Sequence, residues 1–439
     1  MKRVIMIITM MLLMTGCASR EIPETQTEQG VTQPEAHREI ITLCTSAYGV
    51  SLKNLVSGYN QESGQYEIVV QTMEEKEDVQ SFRNRVQAEL TAGKGADILD
   101  VYALQNLDYV PYARNGMFLE LSGIQKELGE IPDQVLACNR YEGGLYGLPM
   151  AFYLQGLVYV QDLELQGEEW NVEKCMQIVE ESRSPYFNAC PPGMSAQQTG
   201  CYLLNLLGVG KDNIQLFVEE EKGTCSFDGT DFQSVLAFAK EHMDTGARNL
   251  DLSKRLQSGE VLFSDSHFGS FRSFWEVSMI CQGKEKYIGY PSPDGEVYGV
   301  HVRGFYVNAA TKHLDGVKDF LRYILSDKVQ ESFAYDADGY FPARSDILHK
   351  QREQAEKEIL DTGYVTDISG KVKYQPRLMT KEEEEIFRHM LDASVPFHYQ
   401  NVIDDIVWEE AGLYFTGEKD AKTVSAAIQG RVQNYLNED

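Results

Sequence analysis

The sequence predicts an α/β fold with a parallel sheet, on three observations. Strand-like and helix-like apolar periods alternate between residues 40 and 101, isolated strand-like runs return at Leu154 to Val160 and at Val261 to Phe263, and amphipathic helical patterns fill much of the rest. Ile40 to Cys44 is a short apolar run of strand length, and Leu52, Leu55, Val56 and Tyr59 then recur at helical spacing. Tyr66 to Val70 reads as a second strand, Val79, Phe82, Val86 and Leu90 as a second helix stopped by Gly93, and Asp97 to Val101 as a third strand. This β-α-β-α-β order implies helices on both sheet faces and ligands beyond the carboxyl ends of the strands. After Leu154 to Val160 the chain reads as mainly helical to residue 260. Val317, Phe320, Leu321, Ile324 and Leu325 mark one later amphipathic helix, and Val424, Ala427, Ile428 and Val432 another. No internal repeat is visible.

The first residues read as an export leader, 1–16. Lys2 and Arg3 precede the apolar run Val4 to Leu13, which is too short for a membrane span. Leu13-Met14-Thr15-Gly16-Cys17 resembles the bacterial lipobox, in which the cysteine is acylated and becomes the mature N-terminus; Met14 stands where leucine is usual. A lipid-anchored tether, 17–38, follows. Glu21, Pro23, Glu24, Gln26, Glu28, Gly30 and Pro34 leave it no apolar face, so it would hold a folded body on the order of 25 Å from the membrane as a random coil.

With 439 residues, 43% of them hydrophobic, the chain can bury a large core, and its length suggests two or three domains. A formal net charge of -27 repels phosphate backbones and anionic headgroups, which excludes nucleic acid as a partner and leaves lipid as the route to the membrane. Beyond Cys17, seven cysteines remain: Cys44, Cys138, Cys175, Cys190, Cys201, Cys225 and Cys281. Seven cannot all pair, so at least one thiol is free; a bridge between Cys190 and Cys201 stays open, and Cys44 reads as a small buried apolar residue.

Four segments carry a resemblance to a known family. Phe82 to Ile98 runs through Ala92-Gly93-Lys94-Gly95-Ala96-Asp97 into the third strand. Tyr146-Gly147-Leu148-Pro149 precedes the second apolar block. Gly289-Tyr290-Pro291-Ser292-Pro293 is followed by Arg303 to Asn308 and, after a helix, by Gly339-Tyr340-Phe341-Pro342. Glu409-Glu410-Ala411, Tyr414 to Gly417 and Ile428 to Gln433 close the set. Their order and separation over residues 40 to 437 resemble the extracellular solute-binding proteins of family 1, the carbohydrate-binding lipoproteins of ABC importers. The resemblance implies a two-lobed periplasmic-binding-protein-like fold of type II, each lobe a mainly parallel sheet flanked by helices and the lobes joined by hinge segments. It divides the chain into an N-terminal lobe, 39–148 plus 301–345, and a C-terminal lobe, 149–300 plus 346–439. It further implies an oligosaccharide enclosed between the lobes, ABC permease subunits as partners, and a monomer anchored by lipid outside the cell membrane.

A sugar presents apolar C–H faces and a rim of hydroxyls, so aromatic rings together with carboxylate, amide and Arg groups should grip it. Candidates stand at strand ends and at the crossings between lobes. Tyr48 follows the first strand, Asp100 and Tyr102 end the third, and Phe152 and Tyr153 follow the first crossing. Asp265, His267 and Phe268 follow the strand after Gly259-Glu260, and Trp275 and Arg303 complete the set. Asp100 and Arg303 could equally form a structural ion pair, each aromatic could serve the core, and Trp408 reads as packing.

Enzymatic motifs are missing. No H-E-x-x-H, G-x-S-x-G or P-loop is present, and Gly93-Lys94-Gly95 lacks the upstream glycine and following hydroxyl of a phosphate cradle. Asp336-x-Asp338-Gly339 lacks the later ligands of a calcium loop and reads as a turn; Glu382 to Glu385 and Asp404-Asp405 read as solvated helix faces or first-turn acids. No metal, cofactor or catalytic residue is predicted. Two alternatives to import remain: a surface glycosidase with paired carboxylates about 5 to 9.5 Å apart, and a binding protein that presents its solute to a membrane sensor.

Overall fold

A computed structural model describes residues 38–438, except 47–48, 75, 101–108, 166, 192, 209–215, 220–221, 246–250, 334–338, 363–364, 367–372, 375–376 and 398–401. The predicted leader, Cys17 and the tether short of its last residue, Arg38, lie outside the described residues, as do Tyr48, Tyr102 and the Asp336-x-Asp338 turn. Among the described residues no helix is long and apolar enough to cross a membrane.

The opening pattern folds as its periods require. Strand β1 (Glu39–Cys44) pairs in parallel with β2 (Tyr66–Gln71) and β3 (Ile98–Asp100), with Ile41 opposite Ile68 and Leu43 opposite Ile98. Helix α1 (Val50–Glu62) buries Leu52, Val56 and Tyr59, and α2 (Val79–Thr91) buries Phe82, Val86 and Leu90. Asp78 caps α2 through the Ser81 N–H at 2.7 Å. The chain leaves the helix at Gly93 with φ +63° and turns again at Gly95 with φ +92°, backbone conformations that a side chain disfavours. Asp97 then accepts from the Thr42 N–H (2.8 Å) and from the hydroxyls of Thr42 (2.7 Å) and Thr311 (2.6 Å). The Asn308 amide donates to the carbonyls of Lys94 (2.8 Å) and Ala96 (3.1 Å). The glycine-rich motif is therefore a clamp that locks β1 and β3 to a turn from much later in the chain.

Two strands of 13 residues run through the middle of the sheet: β4 (Gly147–Tyr159) and, later, β9 (Gly295–Val307). Between them come β5 (Tyr186–Asn188), β6 (Val261–Phe268), β7 (Lys286–Ile288) and β8 (Tyr290–Ser292); β10 (Phe341–Pro342) and β11 (Ser394–Pro396) follow. The eleven strands order as β2-β1-β3-β9-β4-β6-β5, with β7 and β10 also on β4 and β8 and β11 also on β9. Parallel pairs occupy both flanks, β2-β1-β3 and β6-β5, whereas β4 and β9 pair antiparallel through the centre from Tyr306↔Gly147 to Gly299↔Gln155. One end of this central pair carries β3 beside β9, and the other carries β6 beside β4. The Tyr146-Gly147-Leu148-Pro149 motif thus opens a continuous strand, and the predicted lobe breaks at 148/149 and 300/301 fall inside β4 and β9.

Two large apolar clusters form around these strands. One includes Ile41, Leu43, Val56, Phe152, Phe305 and Phe320, the last on α6 (Leu314–Ile324). The other includes Phe263 with side chains from α3 (Ala196–Leu206), α4 (Thr230–Glu241), α8 (Val402–Phe415) and α9 (Ala421–Glu438), and Trp408 packs against it. Between α4 and α8 in the chain, α5 (Phe271–Cys281) follows β6, and α7 (Lys381–Asp392) begins with a capping box between Thr380 and Glu383. Glu383 is buried against the Arg377 guanidinium (2.7 Å to each carboxylate oxygen), so this member of the acidic run is a structural partner rather than a solvated charge.

Strand β2 lies at the edge of the sheet, where unpaired backbone groups invite another strand. The Asn60 side chain from α1 closes that edge: its Nδ2 donates to the Ile68 carbonyl (2.9 Å) and its Oδ1 accepts the Ile68 N–H (2.8 Å), as a neighbouring strand would. The Tyr66 N–H likewise donates to Ser63 Oγ (3.1 Å). Asn60→Ala is expected to lower unfolding free energy by about 1–2 kcal/mol in urea titration, two net hydrogen bonds, and to increase self-association in sedimentation velocity. Unchanged stability would show that the amide does not hold the edge.

All seven described cysteines are free thiols, Cys190 and Cys201 among them, and all but Cys225 are buried. Burial pushes the thiols of Cys44, Cys190, Cys201 and Cys281 up to about 12 and those of Cys138 and Cys175 up as well. Burial raises the Cys225 thiol too, but it is the one of the seven described cysteines that is not buried, so among these seven native protein at pH 8 should label with maleimide first at Cys225, and at the other six only once unfolded in guanidinium. Rapid native labelling of several sites by mass spectrometry would contradict this packing.

Candidate functional site

The side-chain pattern of β4, β6 and β9 builds the site. These strands lie side by side, with His267 opposite Gln155 and His301 opposite Tyr153. A strand sends alternate side chains to opposite faces. One face therefore collects Tyr153 and Gln155 from β4, Asp265 and His267 from β6, and His301 and Arg303 from β9. The other face sends Phe152, Leu154 and Phe268 into the core.

The rings on the first face stack across the sheet. Tyr153 lies flat against His301, with centroids 4.5 Å apart and planes at 10°, and against His267 at 5.2 Å and 18°. Tyr340, from the residues leading into β10, meets Tyr153 edge-on at 5.6 Å, and the Arg303 guanidinium lies 5.9 Å from the Tyr340 ring centre. His301 and Arg303 are buried, Tyr153 and Tyr340 are half-buried, and His267 is exposed at the end of the stack. The result is an aromatic and cationic surface of the kind that takes the C–H face and hydroxyls of a small polar molecule.

Beside the stack, the Asp265 carboxylate is surrounded by donors. Its Oδ1 accepts from Gln155 Nε2 (3.0 Å) and from the Tyr290 hydroxyl, and its Oδ2 accepts from Gln155 Nε2 (2.8 Å) and the Tyr202 hydroxyl (2.6 Å). The Asp265 N–H donates to Asn188 Oδ1 (2.8 Å). Burial first, and the Asp265 charge second, hold the phenols of Tyr202 and Tyr290 well above the usual tyrosine range, so both remain donors. Gln155 passes the chain of bonds on, since its Oε1 lies 2.8 Å from His301 Nε2.

Of the residues chosen from the sequence, Tyr153, Asp265, His267 and Arg303 come together on this face. Asp265, His267 and Phe268 lie within β6 rather than after it, because Ser264-Asp265-Ser266-His267 continues the strand with one face polar. Phe152 packs on Phe341 (5.3 Å), Phe268 packs on Phe274 (4.7 Å), and Trp275 is buried on α5. Asp100 ends β3, buried, and accepts from the Thr45 hydroxyl at 3.1 Å. Gln155, Tyr202, Tyr290, His301 and Tyr340 were not singled out. Gln155 had a signal: it is a polar residue inside an apolar strand, two positions from Tyr153. Two further pairs with the same spacing, Asp265/His267 and His301/Arg303, complete the pattern.

Among the described residues no three His, Cys, Asp or Glu side chains are placed to hold a metal ion. No protein-family model matches the chain, and no curated protein matches its sequence. Solved structures do match. The sugar-binding protein MalE of the phytopathogen Xanthomonas citri superposes with a TM-score of 0.56 at 14% identity, over 91% of this chain and 98% of that one. The cyclic α-maltosyl-1,6-maltose binding protein of Arthrobacter globiformis gives 0.53 at 15% identity over 92% and 100%. An extracellular solute-binding protein family 1 member from Alicyclobacillus acidocaldarius gives 0.53 at 14% over 91% and 98%. The fold is the two-lobed solute-binding fold. The stack of Tyr153, His267 and His301 stands on β4, β6 and β9, which are neighbours in the sheet.

Proposed function

We propose that this chain is an exported, lipid-anchored receptor that captures a carbohydrate, an oligosaccharide, on the face of β4, β6 and β9 and delivers it unchanged to an ABC permease. The observation that carries the reading is the ring stack on Tyr153 beside a hydrogen-bonded carboxylate, on the adjacent strands β4, β6 and β9. Its structural relatives include proteins described as binding sugars, which supports the ligand class. Ligand that touches both lobes makes some contacts only when they close, so it shifts the open-to-closed equilibrium by its differential affinity for the closed form, and closure is what the permease reads. The lobes divide within β4 and β9, and the receptor acts as a monomer. Asp265 is a poor nucleophile or proton donor here, because its two oxygens already accept four hydrogen bonds. Isothermal titration of the protein against a panel of neutral and charged oligosaccharides, with analysis of the glycan recovered afterwards, tests the reading. Saturable binding and intact glycan are expected; silence across all sugars while another solute class binds, or a cleaved product, would reject it.

A further inference from the structure

Asp265 stands among the ligand contacts expected from the sequence, yet its carboxylate is directed at protein. Four donor contacts from β4, α3 and β8 converge on its two oxygens, and its backbone N–H is held by Asn188 of β5. The Gln155 amide is thereby oriented: its NH2 faces the carboxylate, so its oxygen faces His301 at 2.8 Å. An amide oxygen accepts only, so His301 Nε2 must carry hydrogen, and the imidazole is fixed in tautomer and in plane. That plane is the one that lies at 10° to Tyr153.

We infer that Asp265 is a positioning residue for the carbohydrate site: acting through Gln155, it sets the tautomer and ring plane of His301 and hence the stack on Tyr153. This rests on the reading that the β4–β6–β9 face takes the ligand. Asparagine at 265 has the same shape but presents one acceptor oxygen and one NH2 group. Because the Tyr290 hydroxyl faces Oδ1 and the Tyr202 hydroxyl faces Oδ2, one phenol keeps the remaining oxygen and the other turns to accept from the new NH2, which also opposes the NH2 of Gln155. The Gln155 amide relieves that clash by rotating, which turns its NH2 toward His301 and makes Nε2 an acceptor. The His301 proton then moves to Nδ1.

Histidine 15N NMR on the full-length protein without ligand, with His301 assigned by loss of its signals in His301→Gln, reads this directly. The wild type should show protonated Nε2, and Asp265→Asn should exchange the roles of the two ring nitrogens. Glycan affinity, measured on whichever oligosaccharide the panel identifies, should fall about 10-fold or more in Asp265→Asn. Gln155→Leu, which leaves Tyr202 and Tyr290 on the carboxylate, should cause a similar loss. If Asp265→Asn keeps hydrogen on Nε2, or if Gln155→Leu binds like the wild type, Asp265 does not act through this chain of bonds and the inference fails. If no glycan binds the wild type, the functional reading fails, and the tautomer comparison still decides the role of Asp265.

Discussion

Gly269→Ala is expected to be the most disruptive single substitution at the site, lowering stability by about 3 kcal/mol or more and weakening glycan binding together. Gly269 follows the last residue of β6, and the carbonyl oxygen of Gly339 lies where its Cβ would be, 1.3 Å from the ideal position. No rotamer change relieves a clash between a Cβ and a backbone oxygen, so the 339–342 segment must move. That segment contains β10, which pairs Phe341 with Phe152 and Pro342 with Ala151, and it brings Tyr340 against Tyr153. Chemical denaturation and a glycan titration on the same variant check both effects. A variant with wild-type stability and affinity would show that the close approach of these two backbones is not needed.

Tyr153→Ala is expected to cost about 100-fold in glycan affinity, or ~3 kcal/mol, because it removes the ring on which His301, His267 and Tyr340 all rest. The neighbouring Phe152→Ala provides the contrast. Phe152 points to the opposite face and is fully buried against Phe341, so its loss should cost about 3–5 kcal/mol of stability and leave the affinity of the folded protein near the wild-type value. Two adjacent residues should therefore fail in different assays. If both variants lost only stability, the Tyr153 face would be core and the site would lie elsewhere.

The contrast between these neighbours also shows what was legible in the chain. Periods of 3.6 and 2.0 mark β2, α1 and α2 because each of these elements has one buried face and one wet face, whereas β3 shows as a short apolar run whose residues are all buried. Position after a strand does not separate Phe152 from Tyr153 or His267 from Phe268. A strand cannot present two successive residues to one surface, so half of each pair had to be core. In the sequence β6 shows only three apolar residues, because Ser264 to His267 is polar, a pattern that in isolation resembles a loop; the strand extends because β4 supplies its hydrogen-bond partners from Val158 to Leu154. That pairing joins segments more than a hundred residues apart, and no local period contains it. For the same reason the Asp265 network was invisible, since Gln155, Tyr202 and Tyr290 meet only after β4, α3 and β8 have packed. The motif Gly93 to Asp97 was visible as a pattern, while its role as a clamp on Thr42 and Thr311 depended on the fold.

The most direct test of the central claim is a crystal structure of the protein with the oligosaccharide that binds it most tightly. The account predicts an intact glycan lying on the face of β4, β6 and β9, with a sugar ring against His267, Tyr153 or Tyr340 and both halves of the fold in contact with it. Glycan density on another surface, such as the groove between α1 and β2 beside Val56 and Ile68, with the Tyr153 face empty, would contradict it.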